Sequence, residues 1–522
     1  MPGVAYYRYV STRCGADPVR TVMLCVPGTS ASCVAAVEAF ARASGWIDEV
    51  EASGDVLLAP VMPDGWAAAE DPVRSTYLSA RGSLRAPARV SLPGRDGLLW
   101  AWEPLVCVVG YGDGASRAAE TLVVHPSFAA SCVLVDGFPG DLSHGDNPSD
   151  HWHVAHPSSS SHKLNREVPV AAWLMGAACD EAFVSYLREA GGPDWRLRVS
   201  PELTGTDARL ARKAMRDFIC HVVRWKSSPD GTLAWRMSRE EFYLGSRFAH
   251  ACVESGGNAY HYAVHLPEGM RPKDAVGLPM VLSLHGRGEP SWLYADKNGW
   301  EGLADETREF VVVVPDSPRN VWSAERDADV LELIIDEVVA AYGCDRTRVY
   351  LTGFSNGAAF TCQQATTRPW LFAAASPWNC PPEGAIVASG LGPYLYAPDA
   401  QGQGYELPFW IVTGDSDDKG VTDRSGDLPT VLPLGGCAPR GEDVWDGASR
   451  YTAERGYTEG DRLRTRVFKN AEGSVRVGLT TVRDMPHGAI ADEARAAWEF
   501  MRRFRRVEGS RTIREVGQCA RT

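Results

Sequence analysis

The sequence predicts an α/β protein of two tandem domains, each a mainly parallel sheet flanked by helices. Three observations carry that expectation. Short apolar runs alternate with amphipathic stretches of helical length in both halves of the chain. That is the pattern of buried parallel strands covered by helices on both faces. Pieces of the first half recur in the same order in the second. Leu24-Cys25-Val26-Pro27-Gly28 parallels Leu282-Ser283-Leu284-His285-Gly286, and Ser44-Gly45-Trp46 parallels Asn298-Gly299-Trp300. Ala172-Trp173-Leu174-Met175-Gly176 parallels Trp410-Ile411-Val412-Thr413-Gly414. A repeat of this kind decides the fold class before any single element does. Finally, 522 residues, 44% of them hydrophobic, suffice for two domains of ~250 residues each.

In the first copy, residues 4–10 and 21–26 read as strands joined by the turn-forming Gly15-Ala16-Asp17-Pro18. A helix is expected at 31–43, and strands near 56–60, 105–109, 132–135 and 168–174. Residues 209–225 read as the closing helix, with Ala214, Phe218 and Val222 on one side. The polar stretch 226–231, with Pro229 and Gly231, is the expected linker. The domains are therefore drawn as 1–228 and 229–508. The second copy opens with a hairpin, 247–254 and 259–266, around Ser255-Gly256-Gly257-Asn258. Strands follow at 280–284, 310–314, 349–352, 371–376, 409–413 and 475–482. Helices are expected at 300–308, 327–342, 358–364 and 491–504. Residues 310–314 are uninterrupted apolar side chains, as a strand buried on both faces requires. The Arg-containing tail, 509–522, reads as a solvated extension or a strap onto the other domain.

The chemistry centres on residues 348–360, RVYLTGFSNGAAF. A short apolar strand runs into Gly353-Phe354-Ser355-Asn356-Gly357 and then into a helix. Strand, G-x-S-x-G, helix is the nucleophile elbow of α/β-hydrolases. The fold class is thus two tandem α/β-hydrolase domains. In the first copy the matching stretch is Gly110-Tyr111-Gly112-Asp113-Gly114-Ala115, with Gly112 where the serine stands.

Serine is a weak nucleophile near neutral pH and needs a base within hydrogen-bond reach. In this fold the chain order is nucleophile, acid, histidine. Beyond residue 266 the second half contains two histidines, His285 and His487. His487 lies between a strand and the closing helix, where the base is required. The acid should end the strand 409–413, and Gly414-Asp415-Ser416-Asp417-Asp418 offers three carboxylates. Asp417 is favoured, with Asp415 and Asp418 as alternatives. An oxyanion hole needs backbone N–H groups aimed at developing charge. Asn356, next after the serine, supplies one. The other is expected from Arg287, with Gly286 as the alternative. His285 is expected to shape that loop, and the Arg287 side chain could instead bind a substrate carboxylate. The first copy has Thr204 at the place of the histidine and Cys179 at that of Asp417, so it is expected to be a non-catalytic pseudo-hydrolase.

Residues 259–504 resemble the polyhydroxybutyrate depolymerase and feruloyl esterase group of α/β-hydrolases. The matching stretches are AYHYAVHLPEGM, VLSLHGRG, GWEGLADETREFVVVVPDS, DRTRVYLTGFSNGAAF, LFAAASPW and TVRDMPHG. The resemblance implies a serine esterase with a Ser355, Asp417 and His487 triad, an Arg287–Asn356 oxyanion hole and no cofactor. The chain departs from the group in its degenerate first copy and in carrying Arg287 at that loop position, and it is expected to lack the group's secretion signal.

Together these readings predict a serine hydrolase cleaving carboxylic esters through an acyl-enzyme intermediate. A serine peptidase or acyltransferase on the same triad is the alternative within enzymes. A non-catalytic binding or scaffold protein is the alternative of another class. The expected partner is a small-molecule or oligomeric ester. Specificity is expected from residues 379–407 and 419–465, with Trp378, Trp292 and Trp445 as wall candidates and His285 nearby. A net charge of −13 argues against nucleic acid or an anionic membrane surface. Thirteen cysteines without a C-x-x-C pair show no zinc or thioredoxin signature. The N-terminus shows no leader pattern, and a cytoplasmic protein is expected. The stretch 143–162 contains His144, His151, His153, His156 and His162 with Asp146 and Asp150. Its spacing fits no standard zinc pattern, and a solvated loop without metal is expected. The two domains are expected to share a fixed intramolecular interface.

Overall fold

The computed structural model describes residues 4–14, 18–68, 70–85, 100–149, 163–228, 230–388, 396, 404–417, 419, 421–437 and 462–516. The chain forms two compact units, Met1–Ser238 and Arg239–Thr522. The boundary lies later than the expected 228/229.

In the first unit, β1 (Tyr6–Val10), β2 (Pro18–Cys25), β3 (Val56–Pro60), β4 (Trp100–Tyr111), β5 (Ser131–Val135), β6 (Ala171–Met175) and β7 (Leu197–Ser200) form one sheet. Its order is β1-β3-β2-β4-β5-β6-β7. Only β1 runs antiparallel, against β3. The central strands are apolar and buried along their length, as in Val56–Pro60 and Ser131–Val135, because helices cover both faces. The expected helix 209–225 is shorter than its apolar spacing suggested. It spans Ala208–Asp217, and Val222–Trp225 is instead strand β8. β8 pairs antiparallel with β9 (Thr232–Trp235). The polar stretch expected as a linker is therefore the turn of a hairpin inside the first unit.

The second unit holds β10 (Ala249–Ser255), β11 (Asn258–His265), β12 (Met280–Leu284), β13 (Val311–Pro315), β14 (Val349–Phe354), β15 (Ala374–Trp378), β16 (Phe409–Gly414), β17 (Leu463–Lys469) and β18 (Val475–Val482). Their order is β10-β11-β13-β12-β14-β15-β16-β18-β17. From β11 to β18 this is the strand order of the first unit. The additions are β10 on one edge and β17 on the other. β17 lies antiparallel to β18 and begins within the stretch 419–465 from which specificity was expected. Its sequence, LRTRVFK, alternates arginine with apolar residues, and its exposed positions include Arg464 and Lys469. Charges on an edge strand block pairing with further chains, and they also mask its strand character in the sequence.

Large aromatics lock the helices onto this sheet. Trp300, on the helix Trp300–Thr307, stacks on Trp378 at 5.7 Å. Trp498, on the helix Ala491–Met501, packs against Phe310 at 4.2 Å and Tyr350 at 5.7 Å. The tail corrects another expectation. β19 (Phe504–Arg506) and β20 (Ile513–Glu515) form a hairpin anchored within the second unit. Arg506 donates to Phe372 O (2.9 Å) and Glu406 O (2.8 Å), and Ile513 N donates to Glu406 Oε2 (3.0 Å). Among the described residues no helix is long and apolar enough to cross a membrane.

The turn after β14 depends on close backbone approach. A Cβ on Gly357 would lie 2.4 Å from Leu284 O and 2.5 Å from His285 O. Gly302 sits in a helix with nothing within 4 Å of such a Cβ. Gly357→Ala should therefore destabilise by about 1–3 kcal/mol. Gly302→Ala should stabilise by about 0.5–1 kcal/mol. Urea midpoints of the two variants check this, and equal shifts would contradict the packing described.

Candidate active site

β14 ends in the sharp turn that carries Ser355. The residue sits at φ +55°, ψ −115°, a conformation that costs a side chain roughly 1–3 kcal/mol. The turn is held from both sides. Ser355 N donates to Trp378 O at the end of β15 (3.0 Å). A Cβ on Gly353 would meet Gly357 O at 2.5 Å, so only glycine lets strand and helix close this tightly.

The loop after β18 brings His487 to the serine. His487 Nε2 lies 2.8 Å from Ser355 Oγ. Its Nδ1 lies 2.9 Å from both Asp417 oxygens. Asp417 accepts two further bonds, from Asn379 Nδ2 (3.2 Å) and Lys419 N (2.8 Å). Its side chain is fully buried. A buried carboxylate facing Nδ1 makes that nitrogen the donor and leaves Nε2 to accept from the hydroxyl. Among the described residues, Asp417 is the candidate acid that reaches the histidine. Asp415 points elsewhere, accepting from Ser416 Oγ (2.9 Å), and Asp418 lies outside the described residues.

Two backbone amides beside the serine have no acceptor among the described residues. One is Asn356 N, at the first position of the helix Asn356–Thr367. The other follows by accounting for the loop after β12. Gly286 N donates to Glu289 Oε2 (3.2 Å), Gly288 N to Asn320 O (2.7 Å) and Glu289 N to Gly286 O (3.2 Å). That leaves Arg287 N without an acceptor among the described residues and favours Arg287 over Gly286. The Arg287 side chain is exposed and makes no hydrogen bond or ion pair among the described residues.

Several groups unremarkable in the sequence shape this site. Asn356 Oδ1 accepts from Trp322 N (2.7 Å) and its Nδ2 donates to Trp322 O (3.2 Å). Trp322 Nε1 donates to His285 O (3.1 Å). Asn379 stands at φ +48°, where asparagine is tolerated better than most residues. Its position directly after a strand end was the one available signal.

The three candidate substrate contacts lie in or close to the interior. Trp378 is fully buried, stacked on Trp300, with Nε1 donating to Ser376 Oγ (2.8 Å). His285 is fully buried too. Its Nε2 accepts from Ser317 N (3.0 Å) and its Nδ1 donates to Gly286 O (2.7 Å), so it shapes the loop. Trp292 is 7% exposed, with the Arg239 guanidinium 5.8 Å from its ring centre. An aromatic following a strand end faces the core as readily as a pocket. Trp445 and residues 150–162 lie outside the described residues. Of the histidine-rich stretch, His144 is described, with its Nδ1 3.2 Å from Asn147 Nδ2. No metal-ligating cluster occurs among the described residues.

The first unit preserves the turn with different side chains. Gly112 adopts φ +56°, ψ −129°, and Gly112 N donates to Val135 O (2.9 Å). Cys25 pairs with Gly110 as Leu284 pairs with Gly353. This shifts the expected equivalence by one residue and sets Gly28 in the place of Arg287. Gly28 N is occupied there, donating to Asp113 Oδ1 at 2.7 Å. Strand pairing likewise sets Met175 with Val412, which brings Asp180, not Cys179, to the place of Asp417. Asp180 accepts from Phe183 N (3.0 Å) and caps its own helix.

No protein-family profile matches the chain. It is similar to poly(3-hydroxyalkanoate) depolymerase C of Paucimonas lemoignei, 26% identical over 45% of this chain and 59% of that protein. It is also similar to acetylxylan esterase A of Emericella nidulans, 29% identical over 28% of this chain and 51% of that one. A third relative is feruloyl esterase B of Neurospora crassa, 26% identical over 22% of this chain and 42% of that one. The chain thus spans less than two thirds of the length of each of these relatives. Among solved structures, an acetyl xylan esterase from Aspergillus awamori overlays with a TM-score of 0.36 at 16% identity, over 48% of this chain and 98% of that one.

One buried carboxyl behind the site has a measurable consequence. Burial pushes Glu493 up to about 8, while its Oε2 accepts from Ile490 N (3.0 Å). The folded state keeps this group protonated over a range where the unfolded chain ionises it. Its contribution is therefore full below the unfolded pKa and is lost as pH rises through the folded one. Urea unfolding should show stability falling from pH 5 to pH 8, and Glu493→Gln should flatten that fall. An equal slope in the variant would refute the assignment.

Proposed function

We propose that this protein is a serine hydrolase that cleaves carboxylic esters through an acyl-enzyme. The observation that carries the reading is the continuous chain from Ser355 Oγ through His487 to buried Asp417; Asn356 N and Arg287 N, without acceptors among the described residues, support it. His487 Nε2 takes the Ser355 proton as Oγ attacks the ester carbonyl. The tetrahedral oxyanion accepts from Asn356 N and Arg287 N, which are aimed before the charge develops. Asp417 holds the imidazole in the required tautomer and stabilises the imidazolium. His487 then returns the proton to the departing alkoxide. Water repeats the sequence, releasing the acid and restoring Ser355. The names of the relatives support an ester substrate, small or oligomeric. The exposed Arg287 side chain, without a partner among the described residues, favours an ester that carries a carboxylate near the scissile bond.

The first unit is proposed to be a pseudo-hydrolase derived from the same domain by tandem duplication. The shared strand order and the Gly112 turn support that reading. Gly112 has no nucleophile to offer, and the Asp113 carboxylate covers the amide that would bind an oxyanion.

A fluorophosphonate probe should label Ser355 stoichiometrically, and Ser355→Ala should lose both labelling and p-nitrophenyl ester turnover. Asp417→Asn should lower kcat by about three to four orders of magnitude, while Asp415→Asn stays close to the parent enzyme. Turnover that survives Ser355→Ala would sink the reading. Partition of the acyl group to amine or alcohol acceptors, followed by product analysis, separates hydrolase from acyltransferase.

A further inference from the structure

We propose that the buried Glu289–Lys297 ion pair positions the oxyanion-binding loop, by fixing the peptide whose N–H belongs to Arg287. The inference rests on the serine-hydrolase reading above.

The peptide joining Gly286 to Arg287 is planar and trans, so its C=O and N–H point in opposite directions. Holding the oxygen therefore aims the N–H. Gly286 O accepts from His285 Nδ1 (2.7 Å) and from Glu289 N (3.2 Å). Gly286 N donates to Glu289 Oε2 (3.2 Å). Glu289 thus grips Gly286 twice, once with its backbone and once with its carboxylate. The loop is also pressed onto the elbow strand. A Cβ on Gly286 would lie 2.8 Å from Glu289 Oε2 and 2.9 Å from Phe354 Cδ1.

Lys297 completes the clamp from below. Its Nζ donates to the other carboxylate oxygen, Glu289 Oε1. The same ammonium sits 3.8 Å from the centre of the Phe354 ring. That ring lies 5.0 Å from the His487 imidazole. One ammonium therefore touches both the carboxylate that shapes the oxyanion loop and the ring beside the base. Glu289 and Lys297 are 2% and 9% exposed. Burying two charges costs solvation that their attraction barely returns, so stability gives no account of the pair, whereas loop orientation does. Neither side chain is placed to touch a reacting atom; both are positioning residues.

The test removes the pair without leaving an unmatched charge. A Glu289→Met/Lys297→Met double variant fills similar volume with apolar atoms, an exchange buried pairs often tolerate. It should keep its Tm and full fluorophosphonate stoichiometry at Ser355. Its KM should change little, and kcat should fall by about 10- to 100-fold, the cost of a misaimed donor. If the double variant does not fold, Glu289→Gln decides. It keeps an oxygen for Gly286 N but loses the charge that holds Lys297, and should show a smaller drop in kcat at constant KM. Unchanged kcat in whichever folded variant is measured overturns the proposal. A rise in KM at constant kcat also overturns it, assigning the pair to substrate binding. If Ser355 of the parent protein is not labelled, the hydrolase reading itself fails and this proposal falls with it.

Discussion

The left-handed turn at Ser355 constrains nearly everything around it. A serine at φ +55° persists only where the surroundings leave no relaxed alternative. Here two glycines supply that pressure. Gly353 lets the helix start against the strand, and Gly357 lets it pass over the carbonyls of Leu284 and His285. The strain is thus maintained by packing of β12, β14 and the nucleophile helix together. The same closeness sets where the loop after Leu284 begins. The position of the Arg287 amide is consequently tied to the position of the nucleophile.

Around that turn, polar groups are ordered in layers. Asp417 is buried and receives bonds from His487, Asn379 and Lys419. A carboxylate bonded from three sides holds its geometry. Asn356 uses its side chain on the Trp322 backbone and so leaves its own amide facing outward. His285 is spent on Ser317 and Gly286, which makes it part of the loop's frame. Each group given a catalytic role in the proposed mechanism is therefore held by a neighbour without one, as preorganised electrostatics requires.

The first unit shows how far the turn is a packing solution. Gly112 repeats the dihedral angles of Ser355 and the bond to the next strand, with no nucleophile to position. Glycine adopts that conformation without strain. Carboxylates of the chain itself take up backbone amides around it. Asp113 takes the amides of Gly28 and Gly114, and Asp136 takes those of Ala177 and Gly205. Where His487 and Asp417 join two loops in the second unit, a single aspartate joins the corresponding loops here.

The strongly patterned parts were legible in the sequence. Met280–Leu284, Val56–Pro60 and Val475–Val482 are where their apolar runs set them. Ser355, Asn356 and His487 follow from motif and chain order, because strand, turn and helix write a local signature. Features depending on contacts distant in sequence were not legible. The apolar spacing of residues 209–225 suits a helix, yet Val222–Trp225 pairs with a later strand, and pairing outweighs local propensity. Trp378 reads equally as wall or core until Trp300 is seen stacked on it. Asp415, Asp417 and Asp418 are equivalent by composition; a 2.9 Å contact with His487 separates one of them. Glu289 and Lys297 read as ordinary surface charges, and only burial beneath the elbow makes them a pair. The sequence by itself determined the alternation of elements, the elbow and the order of the catalytic side chains. Tertiary structure decided which carboxylate meets His487, which amide of the loop after β12 is left without an acceptor among the described residues, and what holds them, since those features rest on distances between segments far apart in the chain.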